Sequence, residues 1–353
     1  MRFIGNKENL VGKIYDFMQE CKLADSKNKS FFDAFSGSAS VARFFKQKGF
    51  QVYSCDLLYF SYCLQMAYLH NNSEPLFESL NDVLKTKSNQ LFTSPYQRVL
   101  DFLNHLEPKE GFIYRHYSPN GSKDLAQPRM YFESENAKKI DVIRMQIEQW
   151  REHKNINENE YFILLATLIE SVSFFANVAG VYAAFCKIWD KRALKPFHLK
   201  AIKFLPSQKE HFCFFGDFLD KMDKVRNFDI LYLDPPYNHR QYAANYHLLE
   251  TIARYDNPQI QGVAGLREWQ SQKSLFCNAK SAKVLLESIA KLPNYKNLIL
   301  SYNSEGLMKK EEIDEILAPY GKVHFKELTY QRFKSNTNKT QKFIKEFIWI
   351  VKR

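Results

Sequence analysis

Residues Phe228–Tyr237 read FDILYLDPPY, and the fold turns on how they are read. The apolar run Ile230–Leu233 is too short for a helix and ends at a carboxylate, two prolines and an aromatic ring. Length and the Pro-Pro stop predict a buried parallel strand, because proline cannot continue a ladder and biases the residue before it to extended backbone. Asp234–Tyr237 then lie at the carboxyl end of that strand, the edge where open α/β sheets bind ligands. Prolines supply carbonyls without amide hydrogens. Asp234 and the Pro235 carbonyl, followed by Pro236, therefore make two adjacent acceptors beside the Tyr237 ring, a set suited to a planar group bearing an NH2. An ordinary turn made by a strand-end Asp before proline is the competing reading.

Working outward, the same grammar recurs near the amino terminus. Phe31–Phe45 (FFDAFSGSASVARFF) reads as a short strand ending at Asp33, a small-residue loop and a helix. Strand, glycine-bearing turn and helix let backbone amides approach a ligand closely. The pattern D-x-F-x-G-x-A is not the dinucleotide fingerprint, so a nicotinamide reading is weak. QVYSCD (51–56) is a second short strand, ending in Asp56 at 23 residues beyond Asp33; an acid at that distance is placed to accept ribose hydroxyls. The segment RFIGNK (Arg2–Lys7) precedes Leu10, Ile14, Phe17 and Met18 at helical spacing.

From about 70 to 204 the β-α alternation breaks. Helical periodicity returns at Val99–Leu106, Glu135–Trp150 and around 161–176, separated by a turn-rich aromatic stretch, Gly111–Arg129. Lys187–Lys203 then gathers Lys187, Lys191, Arg192, Lys195, Lys200 and Lys203 against the single acid Asp190. Basic residues interleaved with aromatics suit a nucleic-acid groove, through phosphate neutralisation and stacking; a solvated charged face is the alternative. The α/β pattern resumes at His211–Phe215, closed by Gly216 and Asp217, and ends in two strands, Val323–Tyr330 and Phe343–Val351, around a basic loop. The expected fold is α/β, a Rossmann-like mostly parallel sheet with a terminal antiparallel hairpin and an inserted, mainly helical domain. The expected boundaries are 1–69 and 205–353 for the two parts of the sheet domain and 70–204 for the insertion.

Composition narrows the partners. The 353 residues carry a formal charge of +11, which favours a polyanion over any particular fold. Six scattered cysteines show neither CxxC pairs nor metal-type spacing, the usage of reduced thiols in a cytoplasmic protein; no metal is expected. Tyr161–Cys186 is nearly long and apolar enough to span a bilayer. Glu170 at its centre opposes insertion by about 2.5–3.5 kcal/mol, so a buried helix is expected and no membrane partner.

The ordered set of segments resembles the D12 class of adenine-specific DNA methyltransferases, the Dam-like group, over nearly the whole chain. RFIGNK is similar to that family's amino-terminal cofactor motif, with Asn6 where a small residue is usual, and DAFSGSA to its D-x-F-x-G-x-G loop, with Ala39 in place of the last glycine. DPPY matches the catalytic motif without departure, and the insertion stands where the group keeps its target-recognition domain. The resemblance implies S-adenosyl-L-methionine as cofactor, held by Arg2, Gly5, Lys7, Asp33, Phe35, Ser36, Gly37, Ser38, Asp56 and Asp217. It implies methylation of the adenine N6 amino group in double-stranded DNA by Asp234, Pro235, Pro236 and Tyr237, after the base is flipped from the duplex. Lys187, Lys191, Arg192, Lys195, Asn238, Arg240, Arg332 and Lys334 are the expected DNA contacts. A cognate restriction endonuclease is the expected functional partner, unless the enzyme stands alone. An RNA or N4-cytosine amino methyltransferase is the runner-up, disfavoured by Asp rather than Ser at 234 and by the large insertion. An inert nucleic-acid-binding module is the third reading, opposed by the intact Asp33, Asp56 and DPPY.

Overall fold

The computed structural model describes residues 3–27, 29–81, 83–84, 93–225, 227–331 and 343–353. They fall into two compact units: Phe3–Gln65 with Ser207–Asn245 and Gln270–Arg353, and Met66–Pro206 with Tyr246–Trp269.

The first unit is built on a seven-stranded sheet. Its strands, in chain order, are β1 (Ser30–Asp33), β2 (Gln51–Asp56), β3 (Phe212–Phe215), β4 (Phe228–Leu233), β5 (Tyr295–Asn303), β6 (Lys322–Gln331) and β7 (Phe343–Lys352). Across the sheet they run β3-β2-β1-β4-β5-β7-β6. The first five are mutually parallel, while β7 pairs antiparallel with both β5 and β6, the expected terminal hairpin. All of β1 and Ile230–Leu233 of β4 are buried, as central strands covered on both faces must be. Helices Ser40–Gln47 and Tyr59–Gln65 follow β1 and β2, and Ala279–Lys291 precedes β5.

Strand order reverses between β1 and β4, which makes their shared carboxyl edge the topological switch point. Register sets what gathers there. Asp33 pairs with Tyr232 in β4 and with Ser54 in β2, and Asp56 pairs with Phe215. The acids that close β1 and β2, together with Asp234 two residues beyond Tyr232, thus reach one edge of the sheet.

The second unit is helical, with a two-stranded hairpin at Ile260–Gln261 and Leu266–Arg267. Its long helices are Pro95–His105, Ser134–Glu152 and Glu158–Phe175. The last begins in a capping box, Asn157 with Glu160, whose reciprocal bonds satisfy two otherwise unpaired amides. Its apolar run is buried along most of its length. No helix among the described residues is long and apolar enough to cross a membrane.

Two details depart from the expectation. A short helix, Phe112–Tyr117, occupies part of the turn-rich stretch; buried Asp141 starts it by accepting from the amides of Gly111, Ile113 and Tyr114. Residues 246–269, expected within the sheet domain, group with the helical unit. The buried Arg144 guanidinium donates to the carbonyls of Ile252, Ala253 and Arg254, and Tyr117 and Arg129 donate to Gly265, Gly262 and Val263.

Candidate active site

A cavity of about 160 Å³ opens at the switch point, lined by residues from 3–7, 33–41, 56–58, 216–219, 232–236, 241–243 and 272–276. All of these belong to the sheet unit. Of the residues expected to bind cofactor, Gly5, Lys7, Asp33, Phe35, Ser36, Gly37, Ser38, Asp56 and Asp217 line it; so do Asp234 and Pro236. Arg2 lies outside the described residues.

The loop after β1 is shaped by two left-handed residues, Gly37 at φ +51° and Ala39 at φ +59°. Only at Gly37 is glycine required: a Cβ there would stand 2.8 Å from the Phe3 ring. Ala39 tolerates the same region at a cost of roughly 1–2 kcal/mol, so the turn survives the loss of the family's last glycine. The Asp56 carboxylate holds the loop from beneath. One oxygen accepts from Gly37 N at 2.7 Å and the other from Leu58 N at 2.9 Å, while Ser61 donates to the Gly37 carbonyl. Asp217 is exposed and accepts from Leu219 N.

Asp33 stands apart from this scaffold. It is 1% exposed and neither carboxyl oxygen has a well-formed hydrogen-bond partner; the buried Ser36 Oγ is likewise unmatched, and the Tyr232 hydroxyl has only a weak contact with the Ser301 side chain. Burial, with Asp234 and then Asp56 adding like charge, raises the Asp33 pKa to about 8, against a weak opposing pull from the Phe35 and Ala42 amides. Unmatched buried polar atoms are costly, and here they cluster on one cavity wall. A ligand bearing a cation and hydrogen-bonding groups would satisfy them. Phe35, Phe218, Leu219 and Phe276 offer apolar surface for a flat ring in the same cavity.

Asp234 takes a different arrangement. Lys7, 3% exposed, places its ammonium 2.8 Å from Asp234 Oδ1, 3.1 Å from Glu346 Oε1 and 3.3 Å from the Gly5 carbonyl. Two of the ammonium's three donors bond Asp234 and Gly5, and its charge pairs with Glu346. Burial works against the Lys7 charge, but Asp234 and Glu346 outweigh it and hold the lysine protonated well above its ordinary range. Burial raises Asp234 to about 6, with Lys7 drawing it down and Glu346 pushing it up. Its Oδ2 has no hydrogen-bond partner among the described residues.

Other expected residues fall elsewhere. Tyr237 does not line the cavity: its ring meets Tyr302 edge-on at 6.5 Å and its carbonyl accepts from Leu307 N. Pro235 is buried and does not line it either. Asn238 closes a turn by accepting from Arg240 N, and Arg240 is exposed. Lys187, Lys191 and Lys195 are exposed. Arg192 is mainly structural, donating to the Ser173 and Ala176 carbonyls and pairing with Asp190. Arg332 and Lys334 lie outside the described residues. The sequence reading missed Glu346, Tyr242 and Gln241; Tyr242 donates to the Ile4 carbonyl, and Gln241 exchanges two hydrogen bonds with the Ser274 backbone. A charged residue within the apolar β7 was the available signal for Glu346.

The family model for D12 class N6 adenine-specific DNA methyltransferases matches residues 3–316. The chain belongs to that family. It is 38% identical over its whole length to the type II methyltransferase M.FokI of Planomicrobium okeanokoites, and 34% identical to the modification methylase StsI of Streptococcus sanguinis. It spans about half the length of those two relatives, 53% and 52%. Its match to the type II methyltransferase M.NlaIII of Neisseria lactamica, at 37% identity, covers 95% of this chain and 93% of that protein. Membership of a methyltransferase family implies a methyl donor, and the cavity joins the loop that follows β1 to the DPPY carboxylate.

Proposed function

We propose that this chain transfers a methyl group from S-adenosyl-L-methionine to the N6 amino group of adenine in double-stranded DNA. The observation that carries the reading is the single cavity shared by Asp33, Asp56, the 34–38 loop and Asp234. Bound there, the cofactor supplies a sulfonium methyl electrophilic enough to be taken by the adenine amino nitrogen.

The residues present fit that group. The Asp33 carboxyl would face its positive end, and the unmatched Ser36 hydroxyl and the weakly held Tyr232 hydroxyl would bond its polar atoms. Asp56, already fixed by two backbone amides, would accept from ribose hydroxyls, while the aromatic wall would pack on the adenine ring. Gly5, Phe35, Gly37, Ser38 and Asp217 shape the remainder. Lys7, expected to hold cofactor, bonds Gly5 and Asp234 and pairs with Glu346, so we assign it to Asp234 instead.

On the substrate side, Asp234 Oδ2 and the Pro235 carbonyl would accept the two amino hydrogens, localising the nitrogen lone pair and aiming it at the methyl. Pro236 would keep those acceptors rigid. As the new N–C bond forms, the methyl's bond to the sulfonium sulfur would break, its electron pair returning to sulfur as a neutral thioether, and the surplus amino proton would pass to Asp234 and then to solvent. Rate enhancement would come from position and electrostatics. Tyr237 would stack on the flipped base, offsetting the few kcal/mol that unstacking costs. Lys187, Lys191, Lys195, Asn238 and Arg240, with Arg332 and Lys334, would meet the phosphate backbone. The names of the relatives support a role in modification, with a nuclease of the same sequence specificity as functional partner.

Transfer of labelled methyl from S-adenosylmethionine to duplex DNA, RNA and single nucleosides tests the reading. N6-methyladenine in duplex DNA is the expected product. Methylated cytosine or RNA in its place would replace the substrate, and absence of transfer with DNA binding retained would replace the enzyme by a binding module.

A further inference from the structure

The strongest feature that the catalytic reading leaves unused is a carboxylate behind the lysine. Glu346 lies within β7 and is fully buried. Ser301, on the neighbouring β5 and paired with Ile348, donates to Glu346 Oε1 at 2.5 Å. That same oxygen receives Lys7. Serine, glutamate, lysine and aspartate therefore form a continuous chain from the sheet interior to the cavity wall. A buried carboxylate is expensive unless it is paired, and an apolar residue at 346 would suit the β7 pattern Phe343–Val351 better.

We infer that Glu346, seated by Ser301, is a positioning residue for methyl transfer: it holds Lys7 on Asp234 Oδ1, so that Oδ2 is left as the acceptor for the substrate amine. This rests on the function proposed above. The charge count explains why one partner for Lys7 would not suffice. Lys7 and Asp234 alone would form a neutral pair, weakening the carboxylate as an acceptor. With Glu346 the trio carries a net negative charge beside a cavity built to receive a cation. Tethered from both sides, Lys7 also fixes the carboxylate's rotation, which a single flexible contact would not.

The groups facing Asp234 are Lys7 from the amino-terminal loop, Asp33 at the end of β1, Tyr232 in β4, Tyr237 in the DPPY loop and Glu346 in β7. Since Glu346 pushes the Asp234 pKa up and Lys7 draws it down, their removal has opposite signs. With cofactor saturating, Glu346→Gln is expected to move the acid limb of kcat/KM for DNA to lower pH, and Lys7→Met to move it to higher pH. Glu346→Gln should lower kcat about tenfold while the KM values for cofactor and DNA change less than about twofold, the signature of an interaction made in the transition state. Ser301→Ala should give a smaller change of the same kind, and it carries the test if the glutamine variant does not fold.

A second readout is independent of turnover: the carboxyl-carbon resonance of Asp234, assigned with Asp234→Asn, should titrate at lower pH in Glu346→Gln. If the wild type methylates adenine yet neither the pH profile nor this titration moves in either variant, the inference is overturned. If the titration moves but the wild type transfers no methyl to DNA, the positioning chain stands and the proposed activity falls.

Discussion

Replacing Asp33 with asparagine separates what the site costs from what it does. Asp33 is 1% exposed, and its pKa is raised from 3.8 to about 8 by burial and by Asp234 and Asp56. An acid whose folded pKa exceeds its unfolded value binds more protons folded than unfolded. Its contribution to stability therefore falls as pH rises between those two values. At pH 7 the native chain retains a proton that the unfolded chain has released. Roughly three pKa units at 1.36 kcal/mol each make this a cost on the order of 4 kcal/mol. An amide of the same shape bears no such penalty, so Asp33→Asn should melt several degrees higher at pH 7, with the difference vanishing toward pH 4. Cofactor binding should move the other way. Losing the buried partner of a cation costs about 2–3 kcal/mol, roughly 30- to 150-fold in Kd. Wild-type affinity for S-adenosylmethionine should also rise from pH 6 to pH 8 with release of a proton, and the asparagine variant should lose that slope. Calorimetric titration in two buffers of different ionisation enthalpy reads the proton, and melting curves from pH 4 to pH 9 read stability. Equal affinity and an equal pH slope in the variant would refute the assignment of Asp33 to the cofactor's positive end.

The remaining predictions address other parts of the molecule. Asp234→Asn should abolish turnover while S-adenosylmethionine binding, followed by calorimetry, stays within a few-fold of wild type. With S-adenosylmethionine saturating, so that Asp33 ionisation does not enter, wild-type kcat/KM for DNA should decline on the acid side as pH falls through about 6, where the Asp234 carboxylate takes up a proton. Gly37→Ala forces a Cβ to within 2.8 Å of Phe3 at a left-handed φ, and should cost about 1–3 kcal/mol in denaturant unfolding together with weaker cofactor binding. Joint replacement of Lys187, Lys191 and Lys195 by alanine should flatten the dependence of log K for DNA on log salt by about 2–3, uniformly across sequences. Arg192→Ala should leave that slope largely intact and instead lower the melting temperature, because its guanidinium is bonded to the Ser173 and Ala176 carbonyls.

What was legible in the sequence was what depends on local pattern. β1, β2 and β4 are short apolar runs each closed by an acid or acid-proline pair, so their ends, and the edge they share, could be read from neighbours in the chain. Features set by distant partners could not. Helix Phe112–Tyr117 depends on Asp141 as its amino-terminal acceptor, some 27–30 residues away. Residues 246–269 read with the rest of 205–353, because nothing local announces that Arg144, more than a hundred residues earlier, binds the carbonyls of Ile252 and Ala253. Arg192 sits in a run of cations that reads as solvated or nucleic-acid facing, and only the fold turns it inward. Lys7 carried a motif but not its partner: Asp234 and Glu346 lie 227 and 339 positions away, so its commitment to a carboxylate pair was visible only once the sheet was assembled.

The placement of β1 against β4 has a consequence for how the chain is made. Ser30 bonds Asp229 across 199 positions, so the central pairing of the sheet cannot close until the intervening chain and β4 itself have left the ribosome. At about 5–20 residues per second that interval is roughly 10–40 s. Through it, a strand destined to be buried at every position waits with one edge bare, the kind of non-local pairing that slows folding and invites aggregation. Nascent chains arrested before residue 228 should accordingly engage chaperones, and those released after β4 should begin to shed them.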